Sequence, residues 1–358
     1  MPMLAADMTA KGLQLNQTEY DAVLIVSFGG PEGMDQVMPF LENVLRGRNV
    51  PRERLLEVAK HYELFDGISP INAQNRDLIA GLKKECETKG PNLPIYWGNR
   101  NWHPLLADTV RQMTSDGIRQ TLALVTSAYN SYSSCRQYLE DIERARDAVG
   151  ADAPRIDKLR AFYNHPGFIA ANIENVRAAF AHLPEERRTA THLIFTAHSI
   201  PLAMAESCEY ETQLREVSQL VANGVSTGAE SVRDRGNYKL VFQSRSGPPS
   251  QPWLGPDICD YLEELNDRGI TDVVIAPIGF VSDHMEVIYD LDTEARLLCD
   301  KLGLNMVRAA TAGTHPAFIR MVRELIMERI DPATPQRFLG TRGVAHDTCL
   351  PGSCLRGQ

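Results

Sequence analysis

The chain lacks any apolar run approaching about 18 residues, the length a membrane-crossing helix needs, so no integral membrane segment is expected. Its first 16 residues lack the basic start and the apolar core of about 7–15 residues that mark a secretory signal. Residues 1–18 read instead as a mobile tail, and a cytoplasmic location is the expectation. Positive charge is also short. Against 46 Asp and Glu stand 37 Lys and Arg, and the net charge of −9 argues against nucleic acid or an anionic membrane as partner. Seven cysteines, an odd number, give no disulfide framework. GGPEG at 29–33 sits where a phosphate loop would, yet it has neither G-x-G-x-x-G spacing nor the Lys-Ser/Thr of nucleotide loops. A nucleotide enzyme is disfavoured, and the glycines read as letting the backbone approach a flat ligand. No short-period repeat is present.

What the chain does have is alternation. Short apolar stretches (DAVLIVSFGG, LPIYWGNR, TLALVTSAY, LRAFYNH, THLIFTAHS, YKLVFQSR, DVVIAPIGF, LNMVRAA) are separated by amphipathic helical segments. Strands without a polar face belong in parallel sheets covered on both sides. At 358 residues the chain is too long for one core. The expectation is an α/β fold of two similar doubly wound, Rossmann-like domains with parallel sheets, residues 19–165 and 166–315. A C-terminal tail follows over 341–358, and the cleft between the domains is the expected site.

The stretch APIGFVSDHMEVIYDLDTEARLLC, 276–299, carries the strongest signal. An apolar strand stops at Ser-Asp-His, and Glu286, Asp290 and Glu294 then recur every four residues behind His284. Residues so spaced share a helix face, where like charges repel. A solvated polar face is the simpler reading. A row of groups passing protons or holding a divalent cation is the alternative, favoured because it begins where a buried strand ends. A second strand, THLIFTAHSIP, ends likewise at His198. The Gly- and Pro-rich loop 242–258 offers Trp253 and Arg245 either to a planar ligand or to a rigid connection.

TAHSIP at 196–201, FQSRSGPPSQPWLGP at 242–256 and PIGFVSDHMEVIYDLD at 277–292 resemble signature blocks of the ferrochelatases. VLIVSFGGPEG at 23–33 and RGRNVP…HYELFDGISPIN at 46–72 resemble matching segments of the bacterial enzymes, so the likeness runs from about residue 20 to about 330. The resemblance implies a chelatase-like fold whose helix at about 316–340 returns to the first domain. It implies an enzyme that inserts Fe²⁺, its substrate, into a porphyrin for haem biosynthesis. His198 and Glu286 would take the inner protons or present the metal, as one coupled pair. His284 would act with them or orient Glu286, and Asp290 and Glu294 would extend a weak metal or proton path outward.

Porphyrin carboxylates need donors. In the segment where the family binds the ring edge stand Arg46, Arg48, His61, Ser69 and Asn72. Some members carry a Tyr or Met at the position matched by Phe28, which can stack on the ring but cannot ligate iron; Tyr62 or Tyr129 is then the expected substitute. The tail HDTCLPGSC departs from the C-x-C-x4-C pattern of members that bind a [2Fe–2S] cluster. Cys135, Cys349 and Cys354 match three of its cysteines, Asp347 stands at the fourth position, and His346 is a neighbouring option. Two thiols on a frayed tail are the alternative. Coproporphyrin III is the expected substrate, with protoporphyrin IX as alternative. A porphyrin carrier and a chelatase for another metal or tetrapyrrole are the rivals. A monomer is expected, with a downstream haem-pathway enzyme as partner.

Overall fold

Segments such as AVLIVS and DVVIA have no polar face to turn to water, and both are buried along their whole length. The computed structural model describes residues 20–47, 50–226, 232–234, 236–247, 250–348 and 352–355. Among them are the strands Ala22–Ser27 (β1), Ile95–Asn99 (β2), Gln120–Val125 (β3), Arg155–Lys158 (β4), His192–His198 (β5), Tyr238–Gln243 (β6), Asp272–Ala276 (β7) and Asn305–Arg308 (β8). They form two four-stranded parallel sheets of the same plan, β2-β1-β3-β4 and β6-β5-β7-β8. In each sheet the chain leaves the first strand toward one edge and returns on the other side. The strand order therefore reverses beside β1 and beside β5, where open α/β sheets bind ligands beyond the strands' carboxyl ends.

The described helices are Met34–Val44 (α1), Arg52–Glu63 (α2), Ile71–Lys89 (α3), Leu106–Ser115 (α4), Gln137–Val149 (α5), Pro166–Ala181 (α6), Glu185–Arg188 (α7), Leu202–Ala205 (α8), Tyr210–Gly224 (α9), Ile258–Asp267 (α10), Met285–Ile288 (α11), Arg296–Leu302 (α12) and Pro316–Ile330 (α13). Tyr132–Arg136 and Asp290–Ala295 wind as π-helix. None of the helices is long and apolar enough to cross a membrane. One core cluster runs from β1 and β3 through α6 and α13 to β5 and β7. Each fully buried Leu, Val, Ile or Phe there contributes about 1.5–3 kcal/mol.

The fourth strand is not where the apolar run LRAFYNH places it. Arg155–Lys158 pairs with β3, while Leu159, Phe162 and Tyr163 are buried as an irregular connection into α6. Apolarity there reflects packing under α6 and α13 rather than membership of a ladder. A long-period duplication also emerges. His165-Pro166 opens α6 and His315-Pro316 opens α13; each Nδ1 accepts the backbone N–H two residues on, at 3.0 and 3.2 Å. The histidines' Nε2 atoms face Glu324 on α13 at 3.4 Å and Glu174 on α6 at 3.1 Å, each glutamate the same step beyond its own helix's histidine. The two helices thus clasp each other reciprocally, and α13 packs on α3 as well as on α6.

The segment after α13 is tied down along its course. Arg160, buried with Glu328 in a two-pronged ion pair at 2.7 and 2.9 Å, also donates to Arg337 O. Leu339 N–H donates to Asn164 O, and Arg342 pairs with Glu209.

Candidate active site

β5 delivers His198 to its carboxyl end, opposite Gln243 of β6. The loop after β7 brings up His284, which caps α11 by accepting the Glu286 N–H at its Nδ1, 3.2 Å away. The Glu286 carboxylate then lies 3.3 Å from His198 Nε2 and 3.8 Å from His284 Nδ1. His198 Nδ1 is held on the Ser199 carbonyl, and Tyr210 hydroxyl donates to His198 O at 3.0 Å. Both ring nitrogens of His198 thus meet acceptors, which suits an imidazolium.

Burial by itself would depress the His198 pKa; the adjacent Glu286 charge and hydrogen bond outweigh it and raise it to about 9. Burial would likewise raise Glu286, but the His198 charge holds it well below the usual carboxylate range. Side-chain exposures of 30% and 47% leave this pair open to solvent rather than sealed in a core. Burial dominates at Asp290, helped by Glu286 and Glu294 and opposed by the Ser244 hydroxyl, and lifts it to about 7. Glu294, at the exposed end of the row, is raised by burial and then by Asp257.

The row is built partly on π-helix. Glu294 N–H reaches back five residues to Tyr289 O at 2.9 Å, a wider winding often found at functional sites. Gln243 Nε2 donates to Glu286 O and lies 3.5 Å from Asp290 Oδ2. Ser244, in the left-handed region at φ 61°, donates its hydroxyl to the same carboxylate. Neither residue stands out in the sequence, although Gln243 ends a strand and Ser244 follows it, and strand ends were the signal that found His198.

Phe28 follows the carboxyl end of β1 and is 37% exposed. The Arg100 guanidinium lies 5.7 Å from its ring centre. Arg100 Nε is 2.8 Å from Asp141 Oδ2, an ion pair whose N–H is not aligned for a hydrogen bond. Phe40, Tyr62 and Trp102 extend the aromatic wall edge to face. Tyr62 is buried, which together with the Glu286 charge pushes its hydroxyl pKa up. His61 is stacked flat on Tyr289, their ring centres 3.6 Å apart.

Several expected ligand contacts are displaced. Tyr129 is fully buried and donates to Ile278 O at 2.9 Å, so it serves packing between the halves rather than iron. Ser69 and Asn72 are buried beneath the Phe28 loop; Asn72 Nδ2 donates to Gly30 O at 3.0 Å. Gly29 and Gly30 make room for these protein neighbours, not for a flat ligand. A Cβ on Gly29 would lie 2.7 Å from Asn99 Cβ, and one on Gly30 would lie 2.7 Å from Ser69 Cβ. Gly29 also holds φ +80°. Gly29→Ala is therefore expected to cost about 1–2 kcal/mol from the left-handed backbone, before any steric cost, measurable by urea unfolding. Arg46 is exposed just past α1. Arg245 donates to Gln251 O at 3.1 Å within its own loop. Trp253 bridges to Pro201 and covers Gly247, fastening the loop to the exit of β5.

At the tail, Cys135 and Cys354 are both buried. Arg136 donates to Ser353 O at 3.2 Å, and Cys354 N–H donates to Ser207 O at 2.8 Å, so the two cysteines' neighbours meet. Cys349 lies outside the described residues. Asp347 does not fit as a cluster ligand, because its carboxylate is paired with Arg329 at 3.2 Å. Among the described residues no group of three or more His, Cys, Asp or Glu is placed to hold a metal.

A family model described as Ferrochelatase matches residues 20–330. A Rhodopirellula baltica protein named Ferrochelatase is 55% identical over 337 residues, covering 94% of this chain and 93% of that one. Proteins named Coproporphyrin III ferrochelatase are similar too. That of Streptomyces griseus is 49% identical, covering 94% of this chain and 93% of its own. That of Nocardia farcinica is 51% identical, covering 93% and 96%. Among solved structures, SirB from Bacillus subtilis with Fe³⁺ aligns with a TM-score of 0.52 at 13% identity, over 88% of this chain and 98% of that one. At that identity the likeness bears on the fold alone.

Proposed function

The chain belongs to the ferrochelatase family, and on that premise we propose that it inserts Fe²⁺ into coproporphyrin III to give iron coproporphyrin. The observation that carries the reading is the solvent-accessible His198–Glu286 pair at 3.3 Å, with Phe28 exposed beyond the end of β1. Insertion releases two inner N–H protons per ring, so the site needs acceptors that are not already full. Glu286 enters as a carboxylate beside a charged His198; the pair accepts the two protons in turn, as one unit, passing the first on to Asp290 before it takes the second. Asp290, poised near neutrality, relays protons toward exposed Glu294 and solvent. Phe28 and the aromatic wall behind it hold the ring, and a ring held bent offers a nitrogen lone pair out of its plane.

The relatives of Streptomyces griseus and Nocardia farcinica support the choice of coproporphyrin by their names, while the Rhodopirellula baltica protein is named without a porphyrin. The test is anaerobic Fe²⁺ insertion, followed by loss of porphyrin fluorescence, with coproporphyrin III and protoporphyrin IX offered separately. Rapid quenching with coproporphyrin alone is expected. Quenching mainly with protoporphyrin would reverse the substrate, and binding of both without quenching would leave a carrier.

The reading retains a [2Fe–2S] cluster on Cys135, Cys349 and Cys354 and drops Asp347 from its ligands, since Arg329 holds that carboxylate. No reaction step runs through it. Anaerobically purified protein is expected to carry about two irons and two acid-labile sulfides per chain, falling to background in Cys135→Ser. Undiminished content in Cys135→Ser would remove Cys135 from its ligands, and none in the wild type would remove the cluster.

A further inference from the structure

Helix α3 touches both walls of the cleft within its first two turns. Asn72 and Asn75 share one face, as residues three apart do, and hold the Phe28 loop. Asn72 Nδ2 donates to Gly30 O at 3.0 Å and Asn75 Nδ2 to Ser27 Oγ at 2.9 Å. Gln74 turns to the opposite wall. Its Nε2 donates to Asp283 Oδ2 at 3.2 Å, and its Oε1 accepts the Asp283 backbone N–H at 2.8 Å. One amide thus satisfies both a backbone donor and a carboxylate on the same residue, a match that needs one donor and one acceptor side by side.

Asp283 is the residue before His284, which caps the helix bearing Glu286. Arg308 holds the other side of that loop, reaching Asp283 at 3.1 Å and Asp292 at 2.6 Å, on either side of the Glu286–Asp290 row. The row is therefore braced within its own half by Arg308 and toward the Phe28 wall by Gln74.

We propose that Gln74 is a positioning residue which, through its paired hydrogen bonds to Asp283, sets the gap between the Phe28 loop and the Glu286 segment. That gap fixes how far a ring held in it is bent. The inference rests on the porphyrin-metallating reading of the same cleft. Misplacing reacting groups by about 1 Å can cost about a hundredfold in rate, so a brace of this kind acts on turnover more than on affinity.

Gln74→Ala and Gln74→Glu separate the hydrogen bonds from mere packing. Alanine removes both bonds. Glutamate keeps the acceptor for Asp283 N–H but sets an oxygen against the Asp283 carboxylate, until protonation restores a donor. Turnover is expected to fall about thirtyfold in Gln74→Ala with the porphyrin KM changed less than about threefold. Resonance Raman lines from out-of-plane modes of the bound metal-free ring should weaken in parallel. The Glu/Ala activity ratio should rise at least about fivefold between about pH 8 and pH 5.5, as a carboxyl beside a carboxylate becomes protonated. Wild-type turnover and Raman lines in Gln74→Ala, or a ratio flat with pH, would overturn the proposal. If the wild type binds porphyrins but metallates none, the ferrochelatase reading fails, and the Raman comparison alone then decides on Gln74.

Discussion

His198→Ala is expected to lower Fe²⁺ insertion about a thousandfold while leaving porphyrin affinity within about threefold of wild type. General acid–base groups contribute about 10²–10⁴ in rate, and a thousandfold loss corresponds to about 4 kcal/mol of barrier. The loss lies above the lower end of that range because the substitution acts twice. It removes the imidazole, and it leaves Glu286 without the charge that keeps it ionised against burial. Glu286 then rises toward a protonated form and ceases to accept protons. Affinity is spared because the substitution leaves the aromatic wall of Phe28, Phe40, Tyr62 and Trp102 in place. Stopped-flow fluorescence quenching measures the rate, and equilibrium fluorescence titration without iron measures the affinity. Retention of more than about a tenth of the activity would remove His198 from the chemistry.

Glu286→Gln should cost a similar factor, and it also changes the pH behaviour in a direction fixed by charge. In the wild type the acid limb of the rate profile should lie near pH 7, where Asp290 gains its charge, with insertion rising as pH rises. Without the Glu286 charge, Asp290 loses a neighbour that raises it, so any residual activity should have its acid limb displaced to lower pH. His198 moves in the same direction, because Glu286 is what raises it as well. Burial, its largest influence, is then opposed only by the Ser199 carbonyl and Asp290, and its pKa should fall from about 9.

Stability follows with a definite sign. A histidine raised in the folded state contributes stability that is fully present below about pH 6.5 and is lost as pH rises toward 9. Asp290 has completed its titration by the upper part of that window. Urea midpoints of the wild type should therefore fall between about pH 7.5 and 9.5, and that slope should flatten in Glu286→Gln. Equal slopes in the two proteins would mean that the pair is not charged in the folded state.

Much of the fold could be read from local pattern. Apolar runs without a polar face specify parallel, doubly covered strands, and seven of the expected stretches contain one. The fourth failed for a physical reason: Leu159, Phe162 and Tyr163 are as apolar as a strand but pack beneath helices instead of pairing. The site was readable to the same degree. His198, His284 and the Glu286–Asp290–Glu294 row announce themselves by standing at strand ends and by four-residue spacing. Ser69, Asn72 and Tyr129 were misplaced because the sequence gives a residue's chemistry but not the direction it faces.

By itself, then, the sequence determined which strands exist, that they lie in two parallel sheets, and which imidazoles and carboxylates stand near strand ends. These follow from periodicity and composition over a few neighbouring residues. Only the tertiary structure decided that His198 meets Glu286, that Gln74 reaches Asp283 across 209 positions, that Arg329 claims Asp347, and that α6 and α13 clasp each other through duplicated His-Pro caps. Each of these is a contact between side chains far apart in the chain. Its hydrogen bond or ion pair exists only once two sheets and their helices have packed, and nothing in the local run of residues encodes that meeting.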